Sequence, residues 1–148
     1  MMRLLVALII ATVCTACQPR DVRPGFWLRG ESVAEHVDDW NFAADVEEIF
    51  IETRPWYGVP HSTTIWCVEI DGKLYVGSYG EEKKTWEGNI ARNPEAKLGI
   101  DGKIYEVRLT PVTDPTLTND LHSAYTQKYD MAEVFGDELP PWWYYSVE

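Results

Sequence analysis

The stretch IDGKLYVGSYGEEKKTWEGNIARNPEAKL, residues 70–98, carries the pattern that decides the fold. Asp71-Gly72 stands between two runs rich in β-branched and aromatic residues, HSTTIWCVEI before it and KLYVGSY after it. Strands favour such residues, and Asp-Gly between two such runs signals a hairpin because both residues accept the backbone of a tight turn. The second run ends near the Ser78 hydroxyl. Glu81, Glu82, Lys83 and Lys84 follow, and Thr85 to Arg92 reads as a short helix bearing Trp86 and Asn89. Pro94 stops it, since its ring and missing N–H oppose continuation.

Outward from this segment the same alternation repeats. Upstream, VEEIFIET places Ile49, Ile51 and Thr53 on one face and Glu48, Phe50 and Glu52 on the other. RPWYGVP, with Pro55, Gly58 and Pro60, is a turn. Downstream, EAKLGI joins KIYEVRLTPV through a second Asp-Gly, Asp101-Gly102. Asp114-Pro115 supplies a helix cap followed by proline at the first helical position. That helix is expected to run to about Tyr129, with Leu117, Leu121, Ala124, Tyr125 and Tyr129 as its apolar stripe. PWWYYSVE reads as a last strand. Residues 25–44 read as a loop-rich arm with one helical turn, anchored by Trp27, Trp40 and Phe42. The expectation is a mainly β (α+β) domain over residues 25–148: a small antiparallel barrel of about six strands with two helices packed outside it. Closure removes the exposed edges that so many short strands would create.

The N-terminal residues are expected to be processed. Arg3 precedes the apolar run LLVALIIATV, which is too short to span a bilayer, where about 20 residues are needed. It fits the core of a secretory signal over residues 1–16. The Thr15-Ala16-Cys17 junction resembles a bacterial lipoprotein signal, with Cys14 where that pattern usually has leucine; an ordinary cleaved signal is the alternative. Lipidated Cys17 and a tether over residues 17–24 would hold the domain in the cell envelope. Gln18, in place of a retention aspartate, would send it to the outer membrane of a Gram-negative cell.

Loss of Arg3 takes the net charge from −11 to −12. So acidic a domain offers no basic face for nucleic acid. Cys67 would be the one thiol left beside the lipidated cysteine, and it sits in a strand as a small core residue. His36, His61 and His122 show no metal-ligand spacing. The acidic run Asp38, Asp39, Asp45, Glu47 and Glu48 lacks a calcium-loop pattern and reads as a solvated face. No acyl-transfer, nucleotide-hydrolysis or dithiol motif is present.

The order strand, turn, strand, Asp-Gly, strand, lysine loop, short helix, NPEAKL, strand resembles the pyridoxamine 5'-phosphate oxidase-like split β-barrel superfamily. The resemblance rests on Pro60, IDGKLYVGSYGEEKK, Trp86, Asn89 and ARNPEAKL, and covers residues 46–112. It implies a flavin (FMN) or deazaflavin site, with haem a lesser expectation. The implied contacts are Ser78, Lys83 and Lys84 for the cofactor phosphate. The strand from His61 through Ser62, Thr63 and Thr64 to Trp66 would line the ring, and Trp86 would stand beside it. It also implies a homodimer, whose interface the rings of Trp142, Trp143, Tyr144 and Tyr145 would suit. The chain departs from the flavin oxidases where they carry an arginine and a lysine, here Thr63 and Val68. It also lacks their C-terminal arginine and histidine, so pyridoxamine phosphate oxidation is not expected. Lys83 and Lys84 beside Glu81 and Glu82 read equally well as a solvated charge cluster. His61 reads as a cofactor donor, a haem neighbour or a turn residue. Two functions follow: a flavin- or deazaflavin-binding oxidoreductase-like envelope protein, or a lipid-anchored module that binds a small ligand or partner without redox turnover.

Overall fold

The computed structural model describes residues 25–148. The signal segment, the tether and Cys17 lie outside the described residues. The elements are β1 (Glu31–Val33), a 3-10 turn (Asn41–Ala43), β2 (Glu48–Thr53), β3 (His61–Ile70), β4 (Lys73–Tyr79), α1 (Thr85–Ile90), β5 (Glu95–Ile100) and β6 (Lys103–Pro111). After them come α2 (Pro115–Tyr129), α3 (Met131–Phe135) and β7 (Trp142–Val147). Strands β6, β5, β2, β3, β4 and β7 follow one another by antiparallel pairing, and β7 returns to β6 to close a six-strand barrel. Both Asp-Gly pairs make their hairpins, with φ of 52° and 79° at Asp71-Gly72 and 48° and 78° at Asp101-Gly102.

Two elements exceed the sequence reading. β1 is a seventh strand, paired parallel to the start of β6 at Glu31, Ser32 and Val33. It covers the edge of β6 that β7 leaves free, since β7 meets only Leu109, Thr110 and Pro111. The second addition is α3, which starts at Asp130 in the left-handed region and ends at Gly136.

Period-two alternation on the strands feeds two cores. Ile49, Ile51, Ile65, Cys67, Leu74, Val76, Leu98, Ile100, Val107, Leu109, Tyr145 and Val147 fill the barrel, with Trp86 and Ile90 of α1 plugging one end. Val68, Tyr75 and Tyr144 point outward and meet Leu121 and Tyr125 of α2. The helix starts as predicted, with the Asp114 carboxylate accepting from Thr116 N–H at 2.9 Å. The outer rings of β7 are therefore covered by α2 of the same chain. Trp40 is buried in the barrel core, whereas Trp27 is 62% exposed and anchors nothing. Position in an arm that only skirts the sheet leaves Trp27 without a wall to pack on.

Candidate functional site: a cleft where the barrel splits

β3 and β4 are paired only from Cys67–Val76 to Ile70–Lys73. Beyond that point residues 61–66 pair only with β2, and residues 77–79 pair only with β7. A side chain of α2 stands at the fork. The Tyr125 hydroxyl donates to Trp66 O at 3.0 Å and reaches Tyr75 O at 3.4 Å. Its ring lies where a Cβ on Gly77 would be, 2.9 Å from the Tyr125 Cζ and hydroxyl. Glycine is required there because backbone and ring approach too closely for any side chain. Lower on α2, the Tyr129 hydroxyl lies 2.6 Å from both Glu47 O and Cys67 O, with one proton to share between them, and Lys128 Nζ donates to Val46 O at 2.7 Å and Cys67 O at 2.9 Å. Tyr129 and Lys128 thus tie Cys67 to the residues that lead into β2, just beyond the last β2–β3 pair, Glu48–Trp66.

The parted strands and the start of α1 enclose a cleft of about 520 Å³, within the usual range for a small-molecule site. Trp66, Tyr79, Trp86 and Trp142 give it aromatic walls, and His61, Thr63, Thr64, Ser78 and Lys84 line it with polar groups. Glu48 stands at its rim. Trp66 and Trp142 stack with ring centroids 6.3 Å apart, and Tyr79 lies 5.2 Å from Trp142. Lys84 Nζ sits 3.7 Å over the Tyr79 ring, a cation–π contact. Desolvation holds its ammonium below the usual lysine value, opposed by the charge of Glu87.

Three buried nitrogens have no hydrogen-bond partner among the described residues: His61 Nδ1, Trp86 Nε1 and Trp142 Nε1. All three belong to residues that line this cleft. An unpartnered buried polar group costs roughly 1–3 kcal/mol. Both indole nitrogens are donors only and are closed to solvent, so a ligand acceptor reaches them only where the rings around them shift.

Of the residues singled out from sequence, His61, Thr63, Thr64, Ser78, Lys84 and Trp86 come together in the cleft. Ser62 and Lys83 do not. Ser62 is buried on the other side of β3, its hydroxyl donating to Phe26 O at 2.5 Å. Lys83 turns away to Glu87, with Nζ 3.3 Å from Oε1 and 3.0 Å from the Tyr145 hydroxyl. There it borders a separate, mostly apolar cavity of about 440 Å³ with Ile90, Pro94 and Leu109.

Glu87 organises this corner and was not singled out from sequence. Its carboxylate is buried and accepts from the Ser78 hydroxyl at 2.7 Å, Lys84 N–H at 2.8 Å and the Tyr145 hydroxyl at 2.6 Å. Burial by itself would raise its pKa. Hydrogen bonds from Tyr145, Lys84 N–H and Ser78, with the Lys83 charge, outweigh burial and hold it below the usual carboxyl value. Its place three residues after the helix cap, Lys84, was the available signal: glutamate there reaches back to the cap N–H. Tyr79 and Trp142 were also missed as wall residues, because nothing local says that β4 and β7 carry them to the fork. Buried Cys67 has its thiol pKa pushed up to about 11, chiefly by desolvation. Among the described residues no cluster of His, Cys, Asp and Glu is arranged to hold a metal ion.

A six-strand barrel opened by one fork, with a helix wedged behind it, defines a split β-barrel protein. Residues 41–138 match the family described as "Uncharacterized protein conserved in bacteria (DUF2255)", and the chain belongs to that family. No curated protein matches the chain. Solved structures share its fold at low identity. The conserved hypothetical protein Rv2991 from Mycobacterium tuberculosis is 17% identical, with a TM-score of 0.58 over 78% of this chain and 85% of its own. An F420-H2 dependent reductase, FDR-A, is 14% identical, with a TM-score of 0.52 over 70% of this chain and 95% of its own. A Listeria innocua protein provisionally assigned as a pyridoxamine 5'-phosphate oxidase is 15% identical, with a TM-score of 0.51 over 69% of this chain and 82% of its own.

Proposed function

We propose that the cleft binds a flavin- or deazaflavin-class cofactor and that the chain is an oxidoreductase-like protein whose substrate is a small molecule. The observation that carries this reading is an aromatic-walled cleft lined by a half-buried lysine and by the three residues whose buried nitrogens have no partner among the described residues. Trp86 and Trp142 would donate to acceptors on the ring edge, Trp66 and Tyr79 would flank its faces, and Thr63 and Thr64 offer hydroxyls from β3. Lys84 would hold the anionic tail. The names of two structural neighbours, an F420-H2 dependent reductase and a provisionally assigned pyridoxamine 5'-phosphate oxidase, agree with this cofactor class. When bound, such a cofactor supplies the hydride or electron chemistry itself, and the protein supplies orientation, dryness and charge.

The competing reading is a binding module without redox turnover. It is favoured by the fate of Ser78 and Lys83, both spent on Glu87, which leaves Lys84 as the cleft's lining cation. Titration of the purified domain with FMN, deazaflavin and haem, followed by flavin fluorescence and absorbance, separates the two. Binding of FMN or deazaflavin, weakened about tenfold by Lys84→Ala, is the expected result. Indifference to all three ligands would leave the module reading.

The proposal extends to assembly and location. One structural neighbour, 17% identical with a TM-score of 0.55 over 70% of this chain and 81% of its own, is described as a domain-swapped dimer. A homodimer is the expected mass in light scattering. Anchoring in the cell envelope through lipidated Cys17 is expected to show as incorporation of labelled palmitate that Cys17→Ser abolishes.

A further inference from the structure

Four of the exposed aromatic side chains gather at one end of the domain. Phe26 is 63% exposed, Trp27 62%, Trp56 83% and Tyr57 57%. They come from two segments, the start of the arm and the β2–β3 turn, that hydrogen bonds hold together. Ser62 donates through its hydroxyl to Phe26 O at 2.5 Å and through its N–H to Gly25 O at 3.5 Å, and Leu28 N–H donates to Glu52 Oε2 at 2.7 Å. The arm therefore lies along β2 and β3 beside their turn. Val59, 41% exposed, adds to the same surface. Exposed aromatic surface of this kind is unusual on a soluble monomer.

The charge of these segments is opposite to that of the chain. Residues 25–30, GFWLRG, and 53–61, TRPWYGVPH, contain none of the 24 acidic residues, and each carries one exposed arginine, Arg29 or Arg54. Of the two acids that flank them, Glu52 is buried and spent on Leu28 N–H, and Glu31 is exposed at the far end of the arm segment. A patch of tryptophan, tyrosine and phenylalanine rimmed by arginine on an acidic protein matches the headgroup region of an anionic bilayer, where such rings concentrate.

We propose that this patch seats the domain on an anionic lipid surface. The inference rests on the lipid-anchor reading for the anchor and on the patch itself for the seat. Seven residues lie between Cys17 and Gly25, so even a fully extended chain keeps the patch within about 30 Å of an acylated Cys17. The described residues begin at Gly25, directly before Phe26 and Trp27 of the patch. A second copy of the chain would also cover aromatic rings, but it would bring Arg29 and Arg54 against their own copies, whereas phosphate headgroups neutralise them.

The barrel and both cores lie within residues 25–148, so the chain from Gln18 onward, without acyl group, is the test protein. Flotation is measured with vesicles of phosphatidylethanolamine and phosphatidylglycerol, and with phosphatidylcholine alone. The domain is expected to co-float with the anionic vesicles and to do so less with the zwitterionic ones. Trp56→Ser with Tyr57→Ser, and separately Phe26→Ser with Trp27→Ser, should each weaken partitioning at least about tenfold. Their circular dichroism and light-scattering mass should match the parent. Flotation equal to that of the variants would overturn the proposal. So would variants that fall from dimer to monomer, which would assign the patch to a contact between copies. Palmitate labelling tests the anchor independently of either result.

Discussion

The two halves of the β3–β4 hairpin are continuous in sequence and opposite in character. Next to Asp71-Gly72 the strands are zipped and dry: Cys67 pairs with Val76, Val68 with Tyr75, and both faces pack on a core. Past Cys67 they part, and the walls become His61, Thr63, Thr64, Ser78 and Lys84 among tryptophans. The zipped half is a local product of turn chemistry and alternation. The forked half exists because a helix from elsewhere in the chain drives Tyr125 between the strands and Gly77 leaves it room. The first half packs on both cores, and the three residues with unpartnered nitrogens line the cleft beside the second.

The contrast breaks most completely at the wedge. Tyr125→Ala removes a fully buried ring and should cost about 3–5 kcal/mol in denaturant melts, the range for deleting a large aromatic core side chain. Tyr125→Phe keeps the ring and leaves Trp66 O and Tyr75 O without its hydroxyl, at about 1–3 kcal/mol.

Glu87→Gln sharpens the comparison from the cleft side and should cost about 1–3 kcal/mol at neutral pH, since it trades an acceptor-only carboxylate for an amide among donors. The native carboxyl is held below the usual value of 4.5. Its contribution is therefore fully present above that pH and lost as pH falls through the lower, folded-state value. The gap in unfolding free energy between wild type and Glu87→Gln should close on acidification below 4.5, and a gap unchanged with pH would refute the assignment. Lys84→Ala should leave stability within about 0.5 kcal/mol while weakening ligand binding. Smallest of all, Arg108→Ala breaks a half-exposed pair with Glu95 at 2.6 Å and should shift stability by less than about 1 kcal/mol.

What could be read from sequence follows the same division. The hairpins, the inward face of Ile49, Ile51 and Thr53, and the cap at Asp114 are set by neighbours a few residues apart, and the barrel followed from them. β1 escaped notice because three residues carry too little alternation to mark a strand, and its pairing with β6 is non-local. In the site, Lys84 and Trp86 were legible because the loop and helix that hold them are local. Ser62 and Lys83 turned away for reasons invisible in the stretch itself: Ser62 meets an arm more than thirty residues earlier, at Phe26, and Lys83 meets Tyr145 on the last strand. Trp142 joined the cleft through the same closure of β7 onto β4. A lysine pair can be read from sequence; which of its members a distant carboxylate claims cannot.

The central claim is that the cleft at the fork takes a flat, acceptor-edged ligand whose edge reaches the indole donors left unpartnered among the described residues. Nitrogen-15 spectra resolve indole N–H signals, and Trp86→Phe and Trp142→Phe assign these two among the seven tryptophans. On addition of FMN or deazaflavin the Trp86 and Trp142 signals should shift together, saturably, while those of Trp27 and Trp56 stay in place. Signals from Trp86 and Trp142 that ignore a ligand shown to bind elsewhere on the domain would contradict the account.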